Sequence, residues 1–179
     1  MKRAIKSDKW GVVMAVTIRK DRVLDNWLTI IENGAGNQER VYKTTEEYLG
    51  NAQFPGVTLK RDQVNSGMFG RGREFLIVSH RALTEYTMFL YARDYGQHLD
   101  CGWYLLCKPG MFKKTISRDA AGNPNSFSMN LDVFDQQDLS AWTHVIHRAF
   151  LRAVKELMEE LELDITGMNT RSKGYLSVW

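Results

Sequence analysis

The hydrophobic pattern of the chain changes period along its length. In "VLDNWLTIIENG" the residues Val23, Leu24, Trp27, Leu28 and Ile31 recur at helical spacing, and Asn33-Gly34 offers a stop. Just before it, "GVVMAVTI" (residues 11–18) is rich in β-branched residues and fits either a strand or a helix. No turn residue separates the two stretches, so the pattern favours one long helix over residues 8–33. A second helix is expected over about 38–50. It starts at an Asn37 cap, carries Val41, Thr45, Tyr48 and Leu49 on one face, and ends at Gly50.

The middle of the chain is different. "GVTLKRDQV", "REFLIVSHRAL", "EYTMFLYARDYG" and "LDCGWYLLCK" are short and β-rich. Turn-like breaks separate them: Gly67, Gly70 and Gly72, then Ala82 to Thr84, then Gly96-Gln97. This predicts a four-stranded antiparallel meander. "SFSMNLDVF" (Ser126 to Phe134) alternates apolar and polar residues and predicts a fifth strand. From Asp138 or Leu139 to Leu161 the helical period returns, with Leu139, Trp142, Ile146, Phe150, Val154 and Leu157 on a wide apolar stripe. Such a stripe needs a broad apolar surface opposite it, and the sheet supplies one. The tail ends in Tyr175, Leu176, Val178 and Trp179, apolar enough to dock.

The expectation is therefore a single α+β domain over residues 1–179. It has two N-terminal helices, an antiparallel sheet of about five strands in a meander, and a long C-terminal amphipathic helix packed on the sheet. By analogy of topology this order resembles helix-grip and TATA-binding-protein-like arrangements.

Composition adds bounds. A chain of 179 residues fits one medium domain and can bury a core without staples. Net charge is +3 but unevenly spread. Residues 55–118 hold ten Lys/Arg against five Asp/Glu, and residues 119–164 hold three against nine. A local basic face is thus compatible with a nearly neutral whole. No stretch approaches the roughly 18–20 apolar residues of a membrane helix, so no membrane contact is expected. Two cysteines and no export signal point to the cytoplasm.

The stretch with the densest chemistry is "QHLDCGWYLLCKPG" (Gln97 to Gly110). On a strand, Leu99, Cys101, Trp103, Leu105 and Cys107 share one face, which reads as buried. Six residues of strand separate the thiols by about 20 Å, and a disulfide needs Cα atoms within roughly 7 Å. Both are therefore free and small-hydrophobic in character. Cys107 is the better nucleophile of the two, because Lys108 beside it would lower its pKa. His98 and Asp100 point to the opposite face, where they could pair through water or hold a metal with partners from a neighbouring strand; a solvated strand end is the favoured reading.

His144 and His147 are three apart on the long helix, a spacing that can share a metal, but no glutamate or flanking carboxylate completes a site. They are weak metal candidates, and no cofactor is implied. "GMFGRGREF" is neither a P-loop nor a dinucleotide fingerprint, because it lies between strands and opens no helix. Its tip sets Met68 and Phe69 among glycines beside Arg71 and Arg73, which suits contact with a protein or a nucleic acid. Further basic residues lie at Lys113, Lys114, Arg171 and Lys173.

No Ser-His-Asp order or zinc-type cysteine set is present. The reading that follows is a non-enzymatic binding or interaction domain, contacting a protein partner or a second copy through the loop 67–73. Alternatives are nucleic-acid binding through the basic loops, and a ligand carrier or enzyme with a pocket between sheet and long helix.

Overall fold

Alternation, not helical period, governs residues 23–31. The computed structural model describes residues 18–19, 22–65, 72–108, 132–174, 176 and 178. Val23–Ile31 is a strand, β1, and not the end of a helix over 8–33; of residues 11–18 only Ile18 is described. The helical reading failed for a physical reason. Trp27 and Ile31 are four apart, and a step of four fits both one helical turn and two strand repeats. Pairing decides between them. β1 runs antiparallel along β5 (His98–Cys107), from Val23↔Leu106 to Ile31↔Leu99. Trp27 and Ile31 point inward and are buried, while Leu28 and Ile30 between them are exposed.

The chain then turns through Asn33 and Gly36, whose φ angles of 53° and 85° suit Asn and Gly. It enters α1 (Gln38–Asn51), the second of the expected helices. Asn37 precedes it, but its side chain donates to the Gly34 carbonyl at 3.1 Å and does not cap the helix. The predicted meander follows as β2 (Val57–Asn65), β3 (Gly72–His80), β4 (Tyr86–Tyr95) and β5. The sheet is antiparallel throughout, in the order β1-β5-β4-β3-β2. Among the described residues the fold is thus α+β with five antiparallel strands, and one helix, not the expected two, precedes the meander.

Among the described residues the fifth strand is β1, and the strand expected over Ser126 to Phe134 is not seen at its described end. Val133 and Phe134 are exposed residues in the first turn of α2 (Val133–Glu160), and residues 126–131 lie outside the described residues. Asp132 caps this helix, its Oδ1 accepting from the Asp135 amide at 2.8 Å. An Asp in that role starts a helix earlier than the apolar stripe alone suggests.

Along α2, Leu139, Ile146, Phe150 and Val154 are fully buried against the sheet. Trp27 and Trp103 fill the space beneath them, each edge-on to the ring of His147 at 5.6 Å. Full burial of each large apolar side chain stabilises by about 1.5–3 kcal/mol. The tail docks as expected. The Lys173 amide donates to the Asn26 carbonyl at 2.7 Å, the Leu176 amide donates to the buried Asp25 carboxylate at 3.0 Å, and Val178 is fully buried. Gly174 permits this approach, since a Cβ there would lie 2.5 Å from the Leu24 carbonyl oxygen.

Candidate functional site

The sheet opens along one seam. β2 and β3 stay paired from Val57↔His80 out to Asn65↔Gly72, and β4 and β5 from Tyr86↔Cys107 out to Tyr95↔His98. The ladder between β3 and β4 runs only from Ser79↔Thr87 to Leu76↔Leu90. Beyond that point the two hairpins part. A cleft of about 310 Å³ lies between them, lined by Gly72 to Phe75, Tyr91 to Arg93, Tyr104 and Gln38.

Beside two of its lining residues, Glu74 and Ala92, stands a side chain from α1. Tyr42 is fully buried, and its hydroxyl accepts from the Ala92 amide at 3.1 Å and donates to the Glu74 carbonyl at 3.0 Å. In a continued register Ala92 would face Glu74, and amide and carbonyl would bond directly. The Tyr42 hydroxyl is inserted into that bond and satisfies both groups, as buried backbone requires. Burial pushes its pKa up to about 12, so the hydroxyl keeps the proton it donates. Arg61 holds the ring from above, 5.2 Å from its centroid, and is itself gripped by both carboxylate oxygens of Glu46 at 2.7 and 2.8 Å.

The walls of the cleft come from the sheet face turned away from α2. Phe75, Phe89 and Tyr91 are buried there, each pair in edge contact through Phe75 at 6.0 Å. Tyr104 stacks on Tyr91 with centroids 5.5 Å apart and planes 19° apart. Gly102 leaves room for the Tyr91 hydroxyl, which a Cβ would meet at 2.6 Å. Burial, helped by Tyr104 and Asp100, raises the Tyr91 pKa.

Arg73 and Arg93 form the rim. Arg93 donates from Nε and Nη2 to one oxygen of Asp100, at 2.8 and 2.6 Å. Asp100 is therefore an ion-pair partner on a half-buried strand position. His98 accepts the Asn33 amide on Nδ1 at 3.3 Å.

Of the residues singled out in the sequence, the structure brings Arg73 into this cleft. Met68, Phe69, Arg71, Lys113 and Lys114 lie outside the described residues. Arg171 and Lys173 are exposed on the tail that docks along β1, at the other edge of the sheet from the β3–β4 seam. His144 is half-buried on α2. His147 is fully buried and used on both sides: Nδ1 accepts the Trp103 indole N–H at 3.0 Å, and Nε2–H donates to the Thr170 carbonyl at 2.8 Å. Burial lowers its pKa to about 4 and keeps it neutral. No cluster of three metal-ligating side chains occurs among the described residues.

Both cysteines are buried and free, as their shared face predicts. The expected activation of Cys107 by Lys108 is corrected. Burial, with Glu85 adding to it, pushes that thiol up to about 11, and its Sγ donates to the Lys108 carbonyl at 3.6 Å. Burial raises Cys101 as well.

Comparison with known proteins finds no relative: no family model, no curated protein and no solved structure matches the chain. Among the described residues, no helix is long and apolar enough to cross a membrane.

Tyr42, Tyr91, Arg93 and Tyr104 were not picked out from the sequence. A signal for Arg93 did exist. Counting outward from a turn at residues 81–85 sets Arg73 against Arg93, two like charges where a ladder favours opposite ones.

Proposed function

We propose that the chain is a non-enzymatic binding domain, one α+β unit over residues 1–179, whose contact site is the β3–β4 cleft and the basic loop 67–73. One observation carries this reading. The seam opens at the start of β3, where that loop ends, so Gly72 and Arg73 belong to both. A concave site with aromatic walls and a few convergent polar groups is how ligand sites are usually built. Among the described residues, His147 is bonded through both nitrogens, and both thiols are held protonated by burial.

The element order, with one helix after the first strand and a long helix after the last, fits the helix-grip or TATA-binding-protein-like arrangement. A protein partner or a second copy of the chain, in the cytoplasm, remains the leading occupant of the loop.

The test is an ¹⁵N-labelled sample screened against small molecules and against host lysate fractions. Binders should shift the amides of Gly72 to Phe75 and Tyr91 to Arg93. The double variant Arg71→Glu/Arg73→Glu should weaken binding while its stability stays within about 0.5 kcal/mol of wild type. Shifts confined to the groove between Phe54, Val145 and Arg152 would move the site to the helices. Nucleic-acid binding through Arg73, Lys113, Lys114, Arg171 and Lys173 would show itself by an affinity that falls steeply with salt.

A further inference from the structure

The cleft has a chemical preference, and this inference rests on the reading that it is a binding site. Continuing the β3–β4 register past Leu76↔Leu90 would place Arg73 directly against Arg93 on the sheet face turned away from α2. Like charges in that position repel. Asp100 answers part of the Arg93 charge, and Arg73 has no ion-pair partner among the described residues. Glu74 also lines the cleft, but strand alternation sends its side chain to the other face. The rim is thus two guanidiniums to one carboxylate, approaching from opposite strands.

A guanidinium offers a fork of N–H donors suited to oxyanions. Two forks from opposite sides suit an anion with oxygens in several directions, such as a phosphate, better than a planar carboxylate. Below the rim lie the rings of Phe75, Tyr91 and Tyr104. Tyr91 and Phe75 are covered, whereas Tyr104 is half-buried and has ring surface left for a partner. A volume of about 310 Å³ sits at the low end of ligand sites, which run from about 300 to 1,000 Å³, and so selects a small molecule.

The geometry points to a small organic phosphate as the ligand of this cleft, its phosphate held between Arg73 and Arg93 and its planar ring laid against Tyr104. The same chemistry could be offered free or as one unit of a nucleic-acid strand, and the small volume of the cleft assigns the free molecule.

Calorimetric titration of the full chain tests this with four probes: phenyl phosphate, inorganic phosphate, benzyl alcohol and an eight-nucleotide thymidine strand. Phenyl phosphate should bind at least tenfold tighter than inorganic phosphate or benzyl alcohol. Arg73→Gln should lower its affinity at least tenfold, Arg73→Lys by less, and Tyr104→Leu several-fold, with the thermal midpoints of the two Arg73 variants close to wild type. Equal binding of phenyl phosphate and inorganic phosphate, or an Arg73→Gln variant that binds as wild type does, would overturn the proposal. A strand binding a hundredfold tighter than phenyl phosphate would overturn it in favour of nucleic acid. If benzyl alcohol binds, moving the cleft amides of the ¹⁵N-labelled chain, and no phosphate does, the ligand class falls and the binding site stands. If no probe binds, this proposal falls, and the binding-domain reading is decided by its own screen.

Discussion

β4 belongs to two hairpins, and they end differently. With β5 it pairs along its whole length, out to Tyr95↔His98. With β3 it stops at Leu76↔Leu90, although both strands run on. The same segment, Tyr91 to Tyr95, is therefore closed on one side and open on the other. Backbone pairing is available on both sides, so the side chains across from it make the difference. Facing β5, Arg93 meets Asp100, and Tyr91 meets Gly102, which accommodates its hydroxyl. Facing β3, Arg93 would meet Arg73, and the buried Tyr42 hydroxyl occupies the next hydrogen bond inward. A ladder continues where its cross-strand pairs agree and opens where they conflict.

Both hairpins lean on α2, so the largest effect should strike them alike. Phe150→Ala removes a fully buried ring that stands edge-on to Trp27 at 6.1 Å. It should cost about 3–5 kcal/mol, read as a lowered denaturation midpoint. If it instead loosens one hairpin only, as read by amide exchange, the two do not share one core.

A second effect of similar kind depends on pH. His147 titrates near 4 in the fold against about 6.5 when unfolded. Between those values the unfolded chain binds the extra proton, so stability falls as pH drops through that window. The loss should approach about 3 kcal/mol at pH 4. Urea midpoints measured from pH 7 to 4 should fall accordingly, and His147→Gln should flatten the slope. An unchanged slope in that variant would assign the acid sensitivity to another group.

How much of this was legible in the sequence varies by region. The meander could be read because each strand is bounded by its own break, and α2 because its stripe is wide and long. β1 could not, since its step of four fits both periods and its partner β5 lies far along the chain. Asp132 gave a helix start that the alternation of Ser126 to Phe134 obscured. The cleft depends on register, which a hydrophobic pattern does not carry. The expected face of α1 runs through Val41, Thr45, Tyr48 and Leu49, yet Tyr48 is half-buried and Tyr42 is fully buried. A helical tyrosine whose hydroxyl completes another element's ladder has no local signature.

The smaller predictions concern the seam itself. Tyr42→Phe keeps the ring but leaves the Ala92 amide and Glu74 carbonyl without their shared partner. It should cost about 1–3 kcal/mol, and the Ala92 amide should exchange faster while Cys101 across from it on β5 is unaffected. A neutral outcome at both sites would mean that the two strands close directly once the hydroxyl is gone. The smallest effect has the opposite sign. Arg73→Glu would set an acid against Arg93 and should gain about 0.5 kcal/mol, with slower exchange at Ala92. Faster exchange there would show that charge is not what holds the seam apart.

The central claim is that β4 is paired on one side of Tyr91 to Tyr95 and unpaired on the other. Cross-strand Hα–Hα contacts in the NMR spectrum of the whole chain test it directly. Such contacts mark residues that face each other without exchanging hydrogen bonds, where antiparallel strands come closest. By the alternation set at Ala92, those positions are Ala92 with Cys101 on the closed side and Arg73 with Arg93 on the open side. The account predicts a strong Ala92–Cys101 contact and none between Arg73 and Arg93. A strong Arg73–Arg93 contact would mean that the ladder is continuous, and it would remove the cleft.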